Sequence, residues 1–187
     1  SKAAGERVLL ESGLDVTVLR PSVIFGARDR FLNVFAQLQV LAPFMPLGGA
    51  DARFQPVWVE DGATAAVRCL DRPQTAGQTI ECAGPDVLTL AQLVRLAGRL
   101  AGCERPVLPL PEAPARLQAG LMELLPGEPL MSRDNVDSMR VPNVATGRLP
   151  GLDTLGITPA PVEAVAAGYL GGRSGPARFL PWRARRG

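Results

Sequence analysis

Between Gly13 and Pro21 lies Asp15-Val16-Thr17-Val18-Leu19, a short β-branched run opened by an acid and closed by Arg20-Pro21. Such a run is the kind that is buried in a parallel sheet, and Pro21 ends it because proline has no N–H to donate to a ladder. Residues 2–12 precede it as a helix, with Ala4, Val8 and Leu9 near one face and Gly13 as the stop. Helix, glycine, strand is the αβ half of a crossover unit. The chain is therefore expected to fold as an α/β protein.

Downstream, Phe31, Val34, Phe35, Leu38 and Leu41 predict a helix over 30–41, followed by a loop carrying Pro43, Pro46, Gly48 and Gly49. Residues 54–59 read as a short strand, and Glu60-Asp61 as the cap of a helix reaching Leu70. Residues 78–83 read as a second short strand. Thr89 and Gln92 form a capping box for the clearest helix, whose face carries Leu90, Leu93, Val94, Ala97, Leu100 and Ala101. Four prolines mark 105–114 as an extended connector. Leu117, Leu121, Leu124 and Leu125 suggest a helix, another starts after Ser132, and Val162, Val165, Ala166 and Tyr169 face inward on the last. Glu81 and Asp86 read as surface charges near a turn.

Composition excludes several chemistries. The 187 residues contain no histidine, which removes the usual general base and the commonest metal ligand. Cys69, Cys82 and Cys103 are widely spaced, so they read as small buried hydrophobes and not as a zinc site or disulfide framework; no metal is expected. The longest apolar run, 40–50, is broken by Pro43 and Pro46 and is too short to span a bilayer, so the body reads as soluble and cytoplasmic. The last fifteen residues carry five arginines and no acid, with Phe179, Leu180 and Trp182 between them. That pattern suits an anionic membrane surface or an acidic partner, including a peripheral place at an inner membrane. The rest of the chain is mildly acidic and has no recognition motif, which argues against nucleic acid.

The one lysine, Lys2, stands among nineteen arginines, in Ser1-Lys2-Ala3-Ala4-Gly5-Glu6. By itself it is also readable as a solvated helix lysine. The segment resembles the second half of the Tyr-x-x-x-Lys motif of short-chain dehydrogenase/reductases. Arg20-Pro21-Ser22-Val23-Ile24-Phe25-Gly26 is similar to the strand-end signature of the extended members. Asp29-Arg30-Phe31-Leu32-Asn33, Pro46-Leu47-Gly48, Gln55-Pro56-Val57-Trp58-Val59-Glu60-Asp61, Gly84-Pro85, Arg133-Asp134-Asn135-Val136 and 149–157 follow in order. Together, over residues 1 to about 170, they resemble an atypical branch of the extended short-chain dehydrogenases. This branch holds the NAD(P)-binding accessory subunit of respiratory complex I and its bacterial relatives.

The resemblance implies the C-terminal part of a Rossmann-like, doubly wound parallel sheet with a smaller, mostly helical substrate-side lobe. Residues 1–172 would form that portion, and 173–187 a basic tail. The family tyrosine would fall before Ser1, and no glycine-rich pyrophosphate turn follows a strand in these residues, so the nucleotide fold's first half is expected upstream. The resemblance further implies an NAD or NADP cofactor, with Lys2 on its ribose hydroxyls and lowering the pKa of the tyrosine. Pro21, Ser22 and Val23 would lie at its carboxamide. Arg28, Asp29, Arg30 and Asn33 would meet an unknown small-molecule substrate; read from the residues alone, they equally form a capped, solvated helix start. Two other readings stand beside the oxidoreductase-like one: a nucleotide-sugar epimerase or dehydratase of the same superfamily, and a non-catalytic assembly module at a membrane complex.

Overall fold

In the computed structural model, which describes residues 2–123 and 133–171, the first strand starts at Val18, two residues into the β-branched run, and takes in Arg20 and Pro21, which were expected to end it. The elements run α1 (Lys2–Glu11), β1 (Val18–Pro21), β2 (Ile24–Phe25), α2 (Leu32–Leu41), β3 (Met45–Gly48), β4 (Arg53–Phe54), β5 (Val57–Trp58) and α3 (Val59–Leu70). There follow β6 (Thr79–Cys82), β7 (Leu88–Thr89), α4 (Leu90–Leu100), β8 (Val107–Leu110), α5 (Glu112–Glu123), α6 (Arg133–Ser138) and α7 (Val162–Leu170). The expected Leu124 and Leu125 and the basic tail lie outside the described residues.

The described strands pair two by two. β1 and β6 run parallel, with Val18 opposite Thr79 and Pro21 opposite Cys82. β2 and β5 are parallel, as are β3 and β8, whereas β4 and β7 are antiparallel. This is an α/β fold built on parallel pairs, as the αβ unit at the start of the chain predicts.

Helix α4 starts on its capping box: Gln92 N–H donates to Thr89 Oγ1 at 3.2 Å, and Thr89 N–H donates to Gln92 Oε1 at 2.7 Å. Its apolar face serves two cores. Leu93, Leu96 and Ala97 pack with Phe25, Leu32, Val162 and Leu170, while Leu90 and Val94 pack with Met45, Leu47 and Val107. Complete burial of Leu90 or Leu93 is worth about 1.5–3 kcal/mol each. A third core joins Val57, Ala65, Ile80 and Cys82 to Leu152, Leu155 and Ile157. Cys82 is buried and its thiol is pushed up to about 11, by burial first and by Cys69 second, which leaves it an inert hydrophobe; Cys69 and Cys103 are half-buried.

Several expectations are corrected. The loop around Pro43 and Pro46 contains β3, and the proline-rich connector contains β8 and the start of α5. Met45 N–H donates to Pro106 O at 2.9 Å, so the two-residue alternation of a strand turns Pro46, which has no donor, away from the ladder. The single strand expected over 54–59 is two dipeptide strands separated by Gln55-Pro56. Neither Glu60 nor Asp61 caps α3, whose N-cap is Trp58 without a side-chain bond; Asp61 Oδ2 instead accepts from Ala160 N–H at 2.9 Å. Asp86 is no idle surface charge, because its Oδ2 accepts from Val162 N–H at the start of α7.

Glu81 is corrected most. It is 9% exposed, and its carboxylate accepts from Thr146 N–H at 2.9 and 3.0 Å and from Gly147 N–H at 3.2 Å. Burial alone raises a glutamate pKa, but these donors and the charge of Arg20 outweigh it and hold Glu81 below its ordinary 4.5. A lowered carboxylate pKa contributes stability that is present above 4.5 and lost as the pH falls below it. Glu81→Gln is therefore expected to lose about 1.5–3 kcal/mol at neutral pH. That deficit should shrink in acid, measured by denaturant unfolding at a series of pH values. A deficit independent of pH would mean that the charge contributes nothing.

Candidate functional site

The segment that leaves β1 is held on both sides. Ser22 N–H donates to Cys82 O at 3.0 Å, Ser22 Oγ donates to Asn143 O at 2.9 Å, and Val23 O accepts from Val57 N–H at 3.0 Å. β2 then enters a cleft of about 660 Å3 lined by residues 24–30, residues 58–60, and Val165, Gly168 and Tyr169 of α7. Pro21, Ser22 and Val23 thus lie immediately upstream of the cleft-lining residues. Lys2 opens α1, and its side chain falls outside the described part.

Asp29 organises the cleft floor. Its Oδ1 accepts from Phe31 N–H at 2.9 Å and Asn33 N–H at 3.0 Å, which starts α2. Its Oδ2 accepts from Gly26 N–H at 3.0 Å and from the Tyr169 hydroxyl at 3.0 Å. Asn33 is 5% exposed and does not line the cleft. Its Nδ2 donates to Gly26 O and Ala27 O, so it supports the loop that lines the cleft. Of the four expected substrate-side residues, Arg28 and Arg30 present exposed side chains along the wall, Asp29 is engaged by four donors, and Asn33 is a support. Gly26 keeps the loop close to the opposite wall, since a Cβ there would come within 2.8 Å of Val59 Cγ1.

Tyr169, the chain's one tyrosine, closes the cleft from α7. Burial first, then the charge and hydrogen bond of Asp29, raise its pKa far above the ordinary 10.0. It remains a protonated donor at neutral pH and is unsuited to act as a base there. Its neighbours Trp58 and Glu60 also line the cleft without having been expected to. Nothing local marks these three. The Asp29–Tyr169 bond spans 140 positions, and the inward face of α7 is the only sequence signal for it.

A buried network of donors, two exposed arginines and apolar walls meet at the exit of a parallel strand pair, a combination with the chemistry to hold a flat or apolar part and an anionic part of a small molecule. No family model matches the chain. It is 33% identical over 165 residues to the mitochondrial NADH dehydrogenase (ubiquinone) 1 alpha subcomplex subunit 9 of Rattus norvegicus, covering 87% of this chain and 44% of that subunit. Its homologues are complex I subunits. The corresponding subunit of Arabidopsis thaliana is 39% identical over 98 residues, covering 51% of this chain and 24% of that one. The chain thus spans less than half the length of these relatives. Among solved structures, a nucleoside-diphosphate-sugar epimerase of Staphylococcus aureus aligns with a TM-score of 0.65 at 16% identity, over 88% of this chain and 56% of that one. A dTDP-glucose 4,6-dehydratase of Bacillus anthracis, in complex with NAD, gives 0.59 at 15% identity over 90% and 49%. The fold is accordingly that of the Rossmann-like extended short-chain dehydrogenases. Among the described residues, no helix is long and apolar enough to cross a membrane.

Proposed function

We propose that this protein is an NAD(P)-binding, oxidoreductase-like relative of the complex I accessory subunit. Residues 1–172 would form the C-terminal portion of its extended short-chain dehydrogenase-like domain, and 173–187 a basic tail for an anionic membrane surface or membrane complex. The observation that carries the reading is the cleft at the exit of β1 and β2, in a chain whose homologues are complex I subunits. A dinucleotide fits it by its nicotinamide half. Ile24 and Val59 are 46% and 43% exposed, an apolar surface for a flat ring. Lys2 and the backbone of Pro21, Ser22 and Val23 would hold the ribose and carboxamide, and Arg28 and Arg30 would orient an anionic substrate.

A nicotinamide bound there would supply hydride chemistry. With Tyr169 tied to Asp29, the described residues favour binding over turnover. No glycine-rich turn for the pyrophosphate occurs in the 187 residues, so we assign that turn to an upstream half such as the longer relatives have room for. Calorimetric titration with NAD(H) and NADP(H) tests the reading. The 187 residues by themselves should bind weakly or not measurably. A version carrying the upstream half should bind, and Lys2→Arg in it should weaken binding about tenfold, because a planar guanidinium replaces a compact ammonium. Low-micromolar binding by the 187 residues would overturn the assignment of the pyrophosphate site. Failure of the longer version to bind would sink the dinucleotide reading itself.

A further inference from the structure

Next to the cleft lies a second cavity, of about 250 Å3, between α2, β3 and α5. Its walls are almost wholly apolar, with Phe31, Phe35, Leu38, Phe44, Met45 and Leu47 among them. Ligand pockets for whole small molecules run to roughly 300–1,000 Å3, so this cavity suits part of a molecule whose remainder sits elsewhere. The structure shows where the remainder could sit, because Arg30 lines both this cavity and the larger cleft. A cation at the junction of the larger cleft and an apolar cavity matches an anionic group followed by a hydrocarbon tail. The one amide in the cavity lining is that of Gln118, on α5; its Oε1 is buried and has no hydrogen-bond partner in the structure. Because that oxygen is already shut from solvent, an apolar occupant strips no water from it.

We infer that this cavity is a tail subsite, and that the substrate is an amphiphile with an anionic group at Arg28 and Arg30 and a medium-length apolar chain between α2, β3 and α5. The inference rests on the reading of the main cleft as the substrate site and adds the substrate's class. It sets this chain apart from the nucleotide-sugar enzymes that share its fold, because a nucleotide would place polar base edges against Phe35, Leu38 and Leu47 with Gln118 as their only side-chain amide.

The test is calorimetric titration of the purified protein, without dinucleotide, with butyrate, hexanoate, octanoate and decanoate. Affinity should rise about fourfold per added methylene until the cavity is full. Octanol should bind more weakly than octanoate, since it lacks the charge for Arg30. Leu38→Trp, which fills the cavity, should flatten the series, so that decanoate binds no more tightly than butyrate. A folding defect would instead weaken every member of the series alike. Equal affinities along the series, octanol matching octanoate, or a chain-length slope undiminished in Leu38→Trp would each overturn the tail subsite. Because no NAD(H) or NADP(H) is present, the outcome is independent of the cofactor reading. A chain-length slope in a protein that binds no dinucleotide upholds this subsite and removes only the cofactor.

Discussion

Asp29→Ala is expected to destabilise the protein by about 2–4 kcal/mol, more than any other single change in the cleft. The carboxylate accepts four hydrogen bonds, three from backbone N–H groups and one from Tyr169, and bonds to a charged acceptor are worth about 1.5–3 kcal/mol each before relaxation and water recover part of the loss. The loss has a specific signature, because the chain has only one tyrosine. In the wild type its phenol resists ionisation, and a raised tyrosine pKa contributes stability that is full below the ordinary 10.0 and lost as the pH rises beyond it. Asp29→Ala removes the smaller causes of the shift and leaves burial, so Tyr169 should ionise closer to 10.0 without reaching it. Absorbance titration of the phenol, paired with denaturant unfolding, measures both. Asp29→Asn, which retains one acceptor oxygen, should fall between. A titration unchanged in Asp29→Ala would break the proposed link between α7 and the floor of the cleft.

Gly84→Ala is expected to cost about 3 kcal/mol or more, or to prevent folding. Gly84 follows β6, where Gln55 Nε2 donates to its carbonyl at 2.7 Å. A Cβ there would sit 2.0 Å from the carbonyl oxygen of Pro56, a backbone atom that no rotamer can move. Relief requires separating the end of β6 from the 55–56 crossing, which also carries Val57 into the third core. Against a total stability of about 5–15 kcal/mol, that is a large fraction. Gly62, inside α3 with nothing within 4 Å of its would-be Cβ, is the control: Gly62→Ala should stabilise by about 1 kcal/mol. Equilibrium unfolding of both variants decides the matter. A cost below about 1 kcal/mol for Gly84→Ala would mean that the crossing is pliable.

The local signals in the chain reach about one helical turn; within that range the capping box of α4 held and the expected Glu60-Asp61 cap of α3 did not. Thr89 and Gln92 meet across three positions, so the capping box and the face of α4 were legible before any tertiary contact was known. The αβ unit at the start was legible for the same reason, since a β-branched run closed by proline limits its own backbone. Asp29 announced the start of α2 because two of its partners, Phe31 and Asn33, follow it within four residues. Its other role was invisible. The Tyr169 hydroxyl arrives from 140 residues away and turns a helix-starting acid into the keystone of a cleft. Glu81 likewise looked like a surface charge until Thr146 and Gly147 supplied donors from 65 and 66 positions downstream. β3 and β8, each carrying proline, have no strand signature of their own and become strands only by pairing with each other. The residues alone set local backbone preference, the apolar faces and the absence of a histidine base. Which acid holds a loop and which caps a distant helix was decided only when folding fixed the donors opposite each carboxylate, because a buried charge takes its role from the partners that satisfy it.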